Sequence, residues 1–112
     1  MASTDLAILE HALELLCDES SWNREDDRRC DPDRDGGRLS LYCALQQSSV
    51  RLTGSFDHRH SALQRVRDAI DSYAQGHQLQ HRLMDFNNTR THAEILTVLR
   101  LAIAALEAEM AP

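Results

Sequence analysis

Ten of the twelve residues from Ile95 to Leu106 are apolar, and only Thr97 and Arg100 interrupt them. A helix apolar nearly all round must be covered on most sides, so this segment calls for a packed helical body. Thr91 and Glu94 stand at capping-box spacing and set its start, because each side chain can satisfy a backbone N–H that the first turn leaves open. Ile95, Leu99, Ala102, Leu106 and Met110 then form the main stripe. Val98, Leu101, Ile103 and Ala105 widen it, leaving Thr97, Arg100, Ala104 and Glu107 as the edge suited to water. The aliphatic balance agrees, with 16 Leu and 13 Ala against four Ile and three Val. Leu and Ala lose little rotamer freedom in a helix, whereas β-branched residues favour sheets. The expected fold is all-α: one domain over 1–112, with four or five helices around a central C-terminal helix and a long acidic loop at 18–38. A small hairpin at 38–53, giving an α+β fold, is the alternative.

Upstream, Thr4 is placed to cap a first helix, with Asp5 in its first turn and Leu6, Leu9, Leu13 and Leu16 as its stripe. Residues 39–53 read two ways. Leu41, Ala44, Leu45, Ser48 and Leu52 fit a helix face, while Leu39, Leu41 and Cys43 alternate as a strand would. Ala44-Leu45-Gln46-Gln47 favours the helix, and Gly54 ends it. Ser61 with Gln64 predicts a second capping box, followed by Leu63, Val66, Ile70 and Tyr73 and a stop at Gly76. Leu79, Leu83 and Phe86 indicate a shorter helix, and Asn87-Asn88 a turn.

The chain carries 18 acids against 12 Arg and no Lys, a formal net charge of −6. The imbalance sits at one end: residues 1–35 hold 11 acids and four Arg, residues 36–112 seven acids and eight Arg. That distribution argues against direct nucleic-acid binding, which needs excess positive charge to meet phosphate. No run of 18 apolar residues exists to span a bilayer. The N-terminal Met1-Ala2-Ser3-Thr4-Asp5 lacks the basic start of an export signal. Three Cys without such a signal are expected as reduced thiols in a cytoplasmic protein.

Several strings together carry a resemblance. They are Trp22 in a charged loop, Tyr42-Cys43-Ala44-Leu45, Leu83-Met84-Asp85-Phe86-Asn87-Asn88, Thr91-His92-Ala93-Glu94-Ile95-Leu96, and Ala102-Ile103. In this order, over roughly residues 6–106, the chain resembles a family of short bacterial and phage proteins known only as a domain of unknown function. Asn88 departs from the Asp common there, and Gln46-Gln47 from a Gly. The resemblance implies a small helical fold and an association with phage or mobile elements, and it supplies no activity.

Three constellations could carry chemistry. Asp31-Pro32-Asp33-Arg34-Asp35-Gly36 has the opening of a calcium loop, with carboxylates at Asp31, Asp33 and Asp35 and the turn glycine after them. Its twelfth position is Tyr42, where a bidentate Glu is needed, and an acidic turn offset by Arg34 and Arg38 accounts for the same residues. Cys43, His92 and Asn87 could form a nucleophile, base and orienting amide. Their order along the chain differs from papain-like enzymes, and Cys43 reads equally as a small core residue. Cys17, Cys30, Cys43, His58 and His60 offer zinc ligand types without a close Cys pair.

The leading expectation is non-enzymatic: an acidic protein-binding module that meets a protein partner through Trp22, Glu25, Asp26, Asp27, Asp31, Asp33 and Asp35, with no cofactor. Acidic surfaces steer basic partners and can imitate nucleic-acid phosphates. The specific form is therefore a phage or mobile-element inhibitor of a host nucleic-acid-binding complex. A cysteine-dependent hydrolase or transferase and a calcium module are the alternatives. The apolar last helix also leaves room for a homodimer. Arg51, Arg59, Arg65 and Arg67 read as surface pairing, such as Arg67 with Asp71.

Overall fold

The Thr91–Glu94 capping box forms as expected. The Thr91 hydroxyl accepts from Glu94 N–H, and the Glu94 carboxylate accepts from Thr91 N–H, each at 3.2 Å. It opens the last of five helices in a computed structural model that describes residues 2–30, 35–74 and 81–111. In chain order these are α1 (Ala2–Leu16), α2 (Leu41–Thr53), α3 (Ser61–Ala74), α4 (Arg82–Thr89) and α5 (His92–Met110). Short 3-10 turns stand at Glu19–Ser21 and Asp35–Gly37. Among the described residues there is no sheet; the one extended pairing is an isolated parallel bridge between Trp22 and Leu39.

One core cluster draws on every helix, including Leu9 and Leu16 of α1, Leu45 of α2, Ile70 of α3, Phe86 of α4 and Leu99 of α5. The helix α5 packs chiefly on α1 and α3, with Ile95, Val98, Leu99 and Leu106 fully buried. It shares the centre with α1, which also packs against α2. Leu101 and Met110 project outward at 42% and 44% exposure, so α5 is less enclosed than its composition implied.

Small side chains are buried on both α1 and α2, which pack together. Ala12, Ala44, Ser48 and Ser49 are all buried, and His11 Nδ1 lies 2.7 Å from Ser48 Oγ. The region 39–53 resolves as helix once Ser40 caps it, its hydroxyl accepting from Cys43 N–H at 3.1 Å. At the other end Gly54 takes the left-handed conformation, φ 83°, that a side chain would resist.

Three expected starts and stops are corrected. The helix α1 begins at Ala2, so Thr4 lies inside it. Asp5 is buried, where it accepts from the Ser61 hydroxyl at 2.8 Å and from Arg65 Nε at 3.3 Å. With Ser61 so engaged, His60 supplies the cap of α3, its Nδ1 accepting from Ala62 N–H at 3.0 Å, and the Ser61–Gln64 box does not form. Asn87-Asn88 is helical, the last turn of α4. The stop at Gly76 and the apolar Leu79 fall outside the described residues.

Candidate functional site

The acidic loop leaves α1 at Leu16 and returns to α2 at Leu41, and it is fastened at several points. Asn23 N–H donates to Leu39 C=O and Leu39 N–H to Ser21 C=O, each at 2.9 Å, closing the loop at its neck. Trp22 plugs that neck. It is 8% exposed, its Nε1–H donates to Asn87 Oδ1 at 2.7 Å, and its ring leans on His92 with centroids 5.7 Å apart. A disulfide joins Cys30 to Cys43 on the first turn of α2.

Asn87 is the polar centre of this arrangement. Its Oδ1 accepts from Trp22 Nε1 and from Leu41 N–H at 3.0 Å, while its Nδ2 donates to Asn23 C=O and to Asn88 Oδ1, also at 3.0 Å. The amide is completely buried, and both its donors and its acceptor lone pairs are used, which is what a buried amide requires. Asn88 then meets Asp26 reciprocally, accepting from Asp26 N–H at 2.8 Å and donating to Asp26 C=O at 3.0 Å. Thus two consecutive amides on one short helix tie down the start of α2 and the first half of the loop.

Asp26 is turned inward as well, at 6% exposure. Its Oδ1 accepts from Arg28 N–H at 2.7 Å, holding Arg28 at a left-handed φ of 63°. Burial pushes the Asp26 carboxyl above the ordinary range, against the lowering pull of the Arg28 amide and the nearby Ser40 hydroxyl. No well-formed hydrogen bond reaches its Oδ2.

These positions correct several expectations. Trp22 and Asp26 are internal fasteners and leave the partner-facing set, because the neck of the loop must bury something to hold itself closed. Glu25 and Asp27 remain exposed. Asp31 and Asp33 lie outside the described residues, as does the side chain of Asp35, and with them the calcium loop. Cys43 is the partner of Cys30, so its sulfur is no free nucleophile, and the expectation of three reduced thiols gives way. With it goes the ground for a cytoplasmic placement, since disulfides persist in oxidising compartments.

His92 instead donates from Nε2 to Leu16 C=O at 2.6 Å, capping α1; no hydrogen bond links it to Asn87. The zinc set is dissolved by the same disulfide, with Cys17 alone as an exposed free thiol. Among the described residues no three His, Cys, Asp or Glu side chains converge as metal ligands, and no helix is long and apolar enough to cross a membrane. Sequence reasoning picked out Asn87 and His92 but gave them the wrong work. Nothing in the sequence pointed to the Cys30–Cys43 pairing.

A second feature was not foreseen. Arg28 of the loop, Arg67 of α3 and Arg82 of α4 face one cleft of about 490 Å³ beside Tyr42. Asp71 pairs with Arg82 and not, as expected, with Arg67.

A family model described as a family of unknown function, DUF6197, matches residues 1–105. No curated protein and no solved structure matches.

Proposed function

The chain belongs to DUF6197, and because that family carries no assigned activity we propose from the geometry that it is a non-enzymatic protein-binding module whose fastened loop presents carboxylates to a basic partner. One observation carries this reading: Glu25 and Asp27 are exposed on a segment whose backbone is tied down at Asn23 and Asp26 by Asn87 and Asn88. A charged segment held in one conformation before binding loses less conformational entropy on association, which is the usual advantage of a preformed recognition loop. Exposed carboxylates also speed encounter with a basic surface. An inhibitor of a nucleic-acid-binding complex, carried by a phage or mobile element, is the specific instance in keeping with the charge.

The test compares two charge reversals in a bacterial-lysate pull-down at low and high salt. Glu25→Arg with Asp27→Arg alters the loop; Glu107→Arg alters the exposed edge of α5. Salt-sensitive partners retained by the native chain and by Glu107→Arg, but lost from the loop variant, support the reading. Identical recovery by all three chains, or none by the native chain, overturns it.

A further inference from the structure

The cleft of about 490 Å³ is walled by the loop, α2, α3 and α4. Among the described residues, three arginines, two histidines, Tyr42 and the apolar Leu83 and Met84 line it, and no Asp or Glu does. In a chain of net charge −6 this concentration of cations in one concavity runs against the average of the surface.

Arg67 is the telling residue. It is half-buried, and among the described residues no carboxylate pairs with it. Its neighbours are Arg82, of like charge, and Tyr42; burial and Arg82 both lower its pKa. Arg82 has its own counter-ion in Asp71. A guanidinium does not escape such a site by deprotonating, as a lysine can. Among the described residues no carboxylate therefore offsets its partial desolvation, and an anion in the cleft would do so.

The remaining walls narrow the class of anion. Arginine forks match phosphate oxygens in pairs. The Tyr42 ring is braced edge-on against Phe56, with centroids 5.6 Å apart, and Leu83 and Met84 give the cleft an apolar side. Small-molecule sites occupy about 300–1,000 Å³, so there is room for more than a bare ion. Arg28 reaches the cleft from a left-handed backbone held by Asp26. Strained non-glycine positions of this kind gather at ligand sites.

We propose that this cleft binds a phosphate group, free or as a small monoester, with Arg67 as its principal ligand and Arg28 and Arg82 beside it.

The experiment is isothermal titration of the whole oxidised chain in a low-salt chloride buffer, first with inorganic phosphate and then with ribose 5-phosphate. Both are expected to bind. Tighter binding of the sugar phosphate by about tenfold assigns the monoester; equal binding assigns inorganic phosphate. Arg67→Gln should weaken both by about tenfold or more, since it removes charge-assisted hydrogen bonds. Arg51→Gln, a loss of charge outside the cleft, should change binding by less than about twofold.

Arg67→Lys keeps the charge without the fork and should still cost about fivefold, which decides the matter if Arg67→Gln does not fold. The proposal falls if the native chain gives no heat with about 10 mM of either probe, an affinity too weak for a built site. It falls equally if Arg67→Lys binds like the native chain, or if Arg51→Gln loses as much as Arg67→Gln.

Discussion

The indole N–H of Trp22 and the side-chain oxygen of Asn87 meet at 2.7 Å across 65 positions of sequence. That bond fixes where the acidic loop starts relative to α4. Because the same oxygen also accepts from Leu41 N–H, it fixes where α2 begins. The loop is thus an integral part of the fold, and its conformation is set by a residue distant in sequence and adjacent in space.

Removing this junction should be costly. Asn87→Ala strands the Trp22 indole N–H and the Leu41 backbone N–H in a buried place, so a loss of about 3 kcal/mol is expected. Urea unfolding followed by the fluorescence of Trp22, the chain's sole indole, measures it. A loss below about 1 kcal/mol would show that water or a shifted backbone replaces the amide.

The Cys30–Cys43 bond closes 13 positions of chain. Cys30→Ser with Cys43→Ser should lower stability by about 2–3 kcal/mol, the range for a loop of that length. Alkylation in denaturant without reductant should label Cys17 alone, and all three cysteines only after reduction. Three labels before reduction would contradict the pairing.

Asp26 makes stability depend on pH. Its folded pKa lies above the ordinary value of 3.8, so the native state holds this proton more tightly than the unfolded chain does. Native stability should therefore fall as pH rises from that value through the folded one. Asp26→Asn keeps an acceptor for Arg28 N–H and removes the charge. The variant should be the more stable chain at pH 7, and its advantage should shrink in acid. Denaturation at a series of pH values checks this, and an advantage that persists unchanged at pH 3 would refute the assignment.

Glu94 has the opposite sign. The Thr91 backbone N–H, chiefly, with Arg90, the Thr91 hydroxyl and Tyr73, holds its carboxyl below the ordinary value of 4.5. Its contribution is present above that value and is lost as pH falls through the folded one. Thr91→Ala should cost about 1 kcal/mol at neutral pH through loss of the cap. Thermal melts of Glu94→Gln against the native chain should converge as the solution is acidified; parallel curves would remove Glu94 from the account.

How far the sequence could be read differs between the helices and the site. Capping residues and apolar spacing act within a turn or two of their own position. Thr91 with Glu94, Gly54, and the Leu63, Val66 and Ile70 stripe could therefore be read directly, and the structure has all of them. Asp5 and Ser61 show where local reading stops. Each looked like part of its own helix start, but they bond to each other across 56 positions, which takes Ser61 away from its expected capping box.

The sequence by itself determined that the chain is helical, where α5 begins and α2 ends, and that its negative charge gathers early. These properties follow from propensities and hydrogen bonds between residues close in the chain. Only the tertiary structure decided that Trp22 and Asp26 turn inward, that Cys30 joins Cys43, and that Arg28, Arg67 and Arg82 share one cleft. Each of these depends on bringing distant segments within a few ångströms, and burial there reverses what a charged or polar side chain would do in water.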